Sequence, residues 1–327
     1  MAAQPEVLRT LVERRQEMLA SLRGDEPAGV VIVARGSSDY AAIFARYLIE
    51  AAIGRPAALA APSLLTLYGT TPRLDGWLAI GISQSGRTPE IATVLERYRD
   101  AGARTVAVTN DPGSPLARRA DVQLGLGAGA EGAVPATKTF TAELVAVALV
   151  AEALGPVPWG QRDWERLPGL AEDLLADTAP AERAAAALGE AGELVAIGRG
   201  YLMCVALEAA LKLREATGMR AEGWSAADFR HGPVTVVRGD IPLLAVTASG
   251  PAAADVERLA GELEERGTPV LRMADRPDAE LPYPGNLPEP LRALPAAMRA
   301  QQLALALALR RGIDPDEPPG LRKVTRT

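Results

Sequence analysis

Three landmarks recur at one spacing along this chain of 327 residues. Gly200 lies 164 residues after Gly36, Ser249 and Gly250 lie 164 after Ser85 and Gly86, and Asp275 lies 164 after Asp111. The surrounding residues repeat as well. Glu193-Leu194-Val195-Ala196-Ile197-Gly198-Arg199-Gly200 resembles the run from Val30 to Gly36, and Leu244 to Gly250 resembles Ile80 to Gly86. Self-similarity at a fixed offset marks a duplicated structural unit. The length agrees, since a chain of this size holds about two domains of ~150 residues.

Each unit alternates strand-like and helix-like segments. Gly29 to Ala34 is a continuous apolar run, the kind found inside a parallel sheet covered on both faces. A turn at Arg35 to Asp39 leads into a predicted helix from Tyr40 to Ile53. Pro56–Ala61, Leu78–Ser83, Thr105–Thr109 and Asp121–Leu124 are further predicted strands. Alternation of this kind implies a parallel sheet with helices on both faces. A long alanine-rich helix is predicted from Ala142 to Leu154, stopped by Gly155-Pro156. Residues 5–22 read as an amphipathic helix and 291–309 as a helix rich in Leu and Ala. The domain reading is an N-terminal helix over 1–24, a first α/β domain over 25–155 and a helical connector over 156–190. A second α/β domain covers 191–312, and a tail covers 313–327.

The densest chemistry lies in Ile80-Gly81-Ile82-Ser83-Gln84-Ser85-Gly86-Arg87-Thr88-Pro89-Glu90. A strand precedes it, and Ile91 to Tyr98 has helical apolar spacing. Gly86 permits a tight turn, and Pro89 and Glu90 suit a first helical turn. Unpaired N–H groups at a helix start, beside the hydroxyls of Ser83, Ser85 and Thr88, make a seat for a phosphate. One hydroxyl alone would read as an ordinary helix cap. In the second unit Ser83-Gln84-Ser85 becomes Thr247-Ala248-Ser249 and Ala252 stands in the place of Thr88, so that unit is expected to lack the seat.

The second unit carries other groups instead. Glu208, Lys212 and Glu215 are spaced i, i+4, i+7 and share one helix face. Such a face is either a solvated charge stripe or an acid/base cluster. The chain's one histidine, His231, precedes Gly232-Pro233 in a predicted loop. A loop imidazole near its ordinary pKa of ~6.5 can move protons at neutral pH. In the basic tail, Lys323 is either a solvated terminal residue or a catalytic amine.

Composition narrows the classes. A net charge of −6 argues against nucleic-acid binding. One cysteine excludes an internal disulfide framework, and one cysteine with one histidine argues against a zinc site. Cys204 lies in an apolar helical run and reads as a buried structural thiol. No uncharged apolar run reaches the ~20 residues of a membrane span, and a signal-peptide pattern is absent. The expected location is cytoplasmic.

Taken in order, Arg35-Gly36-Ser37-Ser38, Ser83-Gln84-Ser85-Gly86-Arg87-Thr88, Ala136-Thr137-Lys138-Thr139-Phe140, Ala206-Leu207-Glu208 through Glu215, Phe229-Arg230-His231-Gly232-Pro233 and Leu321-Arg322-Lys323-Val324-Thr325 form a specific set. The set resembles the sugar isomerase (SIS) family. It is most similar to the isomerase half of glucosamine-6-phosphate synthase and to SIS-type amino-sugar-phosphate deaminases. The resemblance covers residues 25–327. It implies two duplicated SIS domains, each a flavodoxin-like three-layer α/β sandwich. It further implies that Ser37, Ser38, Ser83, Gln84, Ser85, Thr88 and Thr137 bind a sugar phosphate, with Val134 and Ala136 lining the sugar through the backbone. The family commonly has serine where Ala136 stands. Glu215 would carry a proton between C1 and C2, His231 would open the sugar ring and Lys323 would touch the open-chain carbonyl. Glu208 and Lys212 would support the site, and the tail would close over it. The family also allows His231 to reach the site of a second subunit, and a homodimer is the expected assembly. No metal or organic cofactor is required.

The glutamine-hydrolysing domain of the synthase carries an N-terminal cysteine nucleophile, whereas this sequence opens with Met1-Ala2-Ala3 and its one thiol is mid-chain. The chain is therefore expected not to draw ammonia from glutamine by itself, and a separate ammonia-supplying subunit is an open partner. The expected reaction is conversion of glucosamine 6-phosphate to fructose 6-phosphate and ammonia. A plain phosphosugar isomerase, a deglycase acting on a sugar–amine phosphate, and a sugar-phosphate sensor without turnover are the alternatives.

Overall fold

The computed structural model describes residues 1–237 and 239–318. They fall into two compact bodies. The N-terminal body holds Glu6–Glu131 and Lys138–Gly160; the C-terminal body holds Met1–Pro5, Gly132–Thr137 and 161–318.

The N-terminal body is built on five parallel strands: β1 (Val30–Val33), β2 (Ala57–Leu59), β3 (Leu78–Ile82), β4 (Arg104–Thr109) and β5 (Val122–Gly125). Their order across the sheet is β2-β1-β3-β4-β5. Register places Val31 opposite Ala79, Ile80 opposite Val106 and Val108 opposite Leu124. Every residue of β1 and β3 is buried, as expected of strands covered on both sides. Val31, Val33, Ala79 and Ala107 pack against Ile91, Val94, Leu95 and Tyr98 of the Pro89–Asp100 helix. A second helical layer contains Ser37–Ile53, packed against Lys138–Leu154.

The C-terminal body repeats this plan with β6 (Glu193–Gly198), β7 (Arg220–Ser225), β8 (Leu243–Val246), β9 (Val270–Ala274) and β10 (Leu281–Pro282). Their order is β10-β9-β8-β6-β7, all parallel. Read from β7, this is strand for strand the order of the first sheet. The duplication seen in the landmarks is thus a duplication of topology, and the expected α/β fold of two similar sandwiches holds.

Element limits differ from the sequence reading where local geometry decides. The 5–22 stretch is two helices, Gln4–Glu13 and Arg15–Leu22, with Arg14 between them. Residues 161–188 form two helices, Gln161–Ala176 and Ala179–Leu188, and both belong to the C-terminal body. Among the described residues, no helix is long and apolar enough to cross a membrane.

The Met203–Thr217 helix lies close against β7, and Gly223 makes the approach possible. A Cβ there would sit 2.6 Å from Leu207 Cα and 2.9 Å from Ala206 O, both fixed backbone atoms. Gly223→Ala is expected to cost about 1–3 kcal/mol by overpacking and to lower the melting temperature by several degrees. Thermal unfolding followed by circular dichroism checks this, and an unchanged midpoint would show that the helix can move off the strand freely.

Candidate functional site

In the sheet of the N-terminal body, β1 and β3 are neighbours although β2 lies between them in the chain. Parallel sheets bind ligands at such a switch point, outside the carboxyl ends of the strands. Two loops leave the sheet there. One follows β1 through Gly36 into the Ser37–Ile53 helix, and the other follows β3 through Ser83 to Thr88 into the Pro89–Asp100 helix. Arg35 and Glu90 join the two loops by an ion pair of 2.9 Å. The structure therefore gathers Ser37, Ser38, Ser83, Gln84, Ser85 and Thr88 at one sheet end.

The β3 loop is held by its own backbone. Gly86 N donates to Ser83 O at 3.1 Å, Asn110 N donates to Gln84 O at 3.0 Å and Leu116 N donates to Gly86 O at 3.1 Å. Ser83 Oγ accepts from Gly86 N at 3.2 Å, and Ser85 Oγ accepts from Arg87 N at 3.2 Å. Both hydroxyls accept in these bonds, so each keeps its proton for a ligand oxygen. Gly86 has φ +60°, and a Cβ there would fall 2.2 Å from Ser114 Oγ, so glycine is required on both counts. Thr88 is the N-cap of the following helix, yet among the described residues its side chain makes no capping bond. Ordinary capping therefore does not account for the Thr88 hydroxyl.

The matching loop of the C-terminal body already holds carboxylates. Ser249 N donates to Asp275 Oδ1 and Oδ2 at 2.9 and 3.0 Å, and Ser249 Oγ donates to Oδ1 at 3.0 Å. Arg292 pairs with Asp275 at 2.6 Å. Glu289 lies directly over Gly250, where a Cβ would come within 2.3 Å of Glu289 Oε2. Burial raises the pKa of Glu289, Arg292 opposes the rise and the nearby Asp275 adds to it. Carboxylates of the chain itself thus lie against this loop.

The same body carries the charged cluster. Glu208 and Lys212 lie buried on the Met203–Thr217 helix, which rules out a solvated charge stripe. Lys212 Nζ lies 3.4 Å from Glu208 Oε1 and donates a short hydrogen bond to Glu215. Side-chain exposure is 0 % for Glu208, 3 % for Lys212 and 21 % for Glu215, so Glu215 alone of the three is open to a reactant. Burial pulls the lysine pKa down, but Glu208 and Glu215 together outweigh it and hold the ammonium charged above its ordinary 10.5. On the same helix Cys204 is buried and its Sγ donates to Tyr201 O at 3.1 Å. Burial, with Glu208 beside it, pushes its pKa far up, as befits an inert structural thiol.

His231 follows the short Ala226–Phe229 helix beyond β7, the strand paired with β6. Its N–H donates to Asp228 O at 3.0 Å and its side chain is exposed. Val134, Ala136 and Thr137 lie on a segment that belongs to the C-terminal body. Val134 N donates to Asp316 O at 3.0 Å, and Thr137 O accepts from Gln301 Nε2 at 3.2 Å. Lys323 and the tail motif lie outside the described residues. Sequence reasoning passed over Glu143, which is buried on the Lys138–Leu154 helix and accepts from Ser38 Oγ at 2.8 Å. Its one visible signal is an acid set in an otherwise apolar helical run.

The SIS domain profile matches residues 27–153 and 187–282, one match for each sheet. The chain belongs to the SIS domain family. It is 34% identical over 316 residues to a glutamine–fructose-6-phosphate aminotransferase (isomerizing) of Streptomyces coelicolor, covering 90% of this chain and 51% of that relative. The chain thus spans about half the length of the curated relative. A Silicibacter pomeroyi crystal structure, described as a candidate phosphosugar isomerase, superposes with a TM-score of 0.84 at 33% identity, over 96% of this chain and 98% of the other. The glucosamine-6-phosphate deaminase structure of Thermotoga maritima shares the fold, with a TM-score of 0.79 at 23% identity over 98% and 99% of the two chains. Relatives of this SIS chain are enzymes, and so is it.

Lys212→Met leaves the buried Glu208 and the part-exposed Glu215 without their cation. It is expected to cost about 3–5 kcal/mol of stability, the range for breaking a buried ion pair from one side. The raised lysine pKa means that the ammonium's contribution is complete below pH 10.5 and lost as pH rises through the higher folded value. Urea unfolding of both proteins at pH 7 measures the loss; a difference under ~1 kcal/mol would show that the cluster is solvated.

Proposed function

We propose that this SIS-family phosphosugar isomerase acts on an amino-sugar phosphate, converting glucosamine 6-phosphate and water to fructose 6-phosphate and ammonia. The observation that carries this reading is Glu215: a carboxylate that accepts from the buried Lys212 ammonium and is itself part-exposed. Such a group can take a proton from the carbon beside a carbonyl and return it to the neighbouring carbon.

The remaining roles are those that aldose–ketose conversion needs. The phosphate takes its place among Ser38, Ser83, Gln84, Ser85 and Thr88, with Ser37 beside it, and the family resemblance assigns Thr137 to substrate binding. This binding, remote from the reacting carbons, supplies energy for positioning them. Val134 and Ala136 present backbone groups to the sugar. His231 moves the proton that opens the ring. Glu215 then removes the proton at C2 and delivers it to C1, giving an imine at C2 that water hydrolyses to the ketone and ammonia. Lys212, held between two acids, also offsets negative charge developing on the intermediate. Lys323 is assigned the open-chain carbonyl. Glu208 fixes Lys212 from its buried side.

Purified chain incubated with glucosamine 6-phosphate is expected to release ammonia and fructose 6-phosphate in equal amounts. Glu215→Gln should lower kcat by roughly 10²–10⁴-fold, the usual range for general acid–base catalysis. His231→Ala should lower it by a similar factor on the cyclic substrate. Activity surviving in both variants would remove the assigned roles. Isomerised sugar without ammonia would instead identify a plain phosphosugar isomerase.

The reading includes a two-fold dimer. Leu64, Leu67 and Tyr68 form an exposed apolar stretch just after β2, with Leu67 78% and Tyr68 74% accessible. Contiguous apolar exposure of this kind marks an association surface. The exposed position of His231 agrees with a role shared between subunits. Light scattering should give twice the chain mass, and Leu67→Asp with Tyr68→Asp should give the monomer. A monomeric parent chain would overturn the dimer.

A further inference from the structure

The Ala293–Arg310 helix of the C-terminal body is apolar along most of its length, yet it buries three polar side chains close together. Arg299 and Gln301 are 2% exposed and Gln302 is 4% exposed. A polar group taken out of water costs free energy unless its hydrogen bonds are made inside the protein. What each of the three holds is therefore informative. Arg299 donates to Pro282 O at 2.8 Å and to Asp177 O at 2.7 Å. Gln302 donates to Leu174 O at 3.1 Å and to Leu175 O at 3.3 Å, and accepts from Arg299 at 2.7 Å. Those two brace the helix against β10 and against the end of the Gln161–Ala176 helix.

Gln301 holds something else. Its Nε2 donates to Thr137 O at 3.2 Å, and its Oε1 accepts from Nε2 of the buried Gln4 at 2.9 Å. A peptide carbonyl only accepts, so the side of the Gln301 amide turned to Thr137 has to be its NH2. Its oxygen then faces Gln4, whose NH2 meets it. Thr137 ends the segment Gly132–Thr137, on which Val134 N donates to Asp316 O at 3.0 Å. Ala136 stands between these two anchored residues. A methyl side chain forms no hydrogen bond, so polar recognition at Ala136 falls to the backbone alone.

We propose that Gln301 is a positioning residue, which sets the place of the sugar-lining backbone by holding Thr137 O. The inference rests on the reading of Val134 and Ala136 as sugar-lining residues. Gln301 itself touches no substrate atom. Gln4 acts one step further out, by keeping the Gln301 amide from turning. Gln4, Val134 and Thr137 take part in further interactions, so loss of the Gln301 bond shifts the segment rather than releasing it. A backbone group moved from its place meets the sugar less well, and the loss is felt in binding.

Steady-state kinetics of the full chain on glucosamine 6-phosphate, with inorganic phosphate as a competitive inhibitor, tests this. Gln301→Met keeps the side chain's length and removes both ends of the amide. Its KM is expected to rise about 3- to 10-fold, the factor that one neutral hydrogen bond supports. Its kcat should change by less than ~2-fold, because the lost contact serves ground state and transition state alike. The inhibition constant of inorganic phosphate should stay as in the parent, since that ion carries no sugar to meet the segment. Gln302→Met removes an equally buried amide that does not reach Thr137. It is expected to lower the melting temperature and to leave KM as in the parent. The double variant Gln4→Met, Gln301→Met removes both partners of one bond, which strands no buried amide of that pair. It carries the test should Gln301→Met fold poorly, and its KM should stay raised. A parental KM in the folded Gln301 variant overturns the inference alone. So does a KM rise shared by Gln302→Met, or a phosphate inhibition constant that rises in parallel. A parent chain without turnover of glucosamine 6-phosphate overturns the proposed function and the inference together.

Discussion

Two strands that are not consecutive in the chain, β1 and β3, run side by side, and everything at the N-terminal site depends on that pairing. It brings the end of one apolar run, at Ala34, beside the end of another, at Ile82. A small or hydroxyl-bearing residue, Gly36 or Thr88, caps the helix that follows each strand. Each helix start leaves backbone N–H groups without intrahelical partners. Strand adjacency therefore places two sets of donors at one sheet end, and the side chains there decide what anion they meet. Buried strands on both sides fix the register, because a slip of one residue would turn an apolar face outward.

In the C-terminal body the organising quantity is charge. One buried ammonium between two carboxylates is stable only because each partner compensates the desolvation of the others. That arrangement requires the Met203–Thr217 helix to lie tight on its sheet, which explains the small residues at the contact: Gly198, Ala206 and Gly223. The same burial silences Cys204 and leaves Glu215, about three turns further on, as the reachable acid.

Much of this was legible in the sequence. The common offset of Gly36, Ser85 and Asp111 from their counterparts announced two sheets of one topology. The hydroxyl-rich stretch after β3 was legible as a strand-to-helix turn, because an apolar run precedes it and helical apolar spacing follows. What escaped notice has physical reasons. β7 reads Arg220-Ala221-Glu222-Gly223-Trp224-Ser225, whose two charges and central glycine hide a strand that is specified by the helix packed on it. β10 is two residues long and carries no periodicity at all. The break at Arg14 interrupts a segment whose polarity pattern continues unbroken through it. Glu143 is a single acid in an apolar helix, and only a three-dimensional neighbour, Ser38, gives it meaning. Lys323 rests on the resemblance, since it lies outside the described residues.

The loop at Ser249 shows what duplication makes available. Asp275 holds its backbone at Ser249, and Glu289 lies over Gly250. A loop whose anion is covalently part of the chain is ordered at all times and at any metabolite concentration. The C-terminal body thus carries its half of the fold in the occupied state from the moment it folds. The conformation of this loop therefore depends on groups the chain itself supplies, Asp275, Glu289 and Arg292.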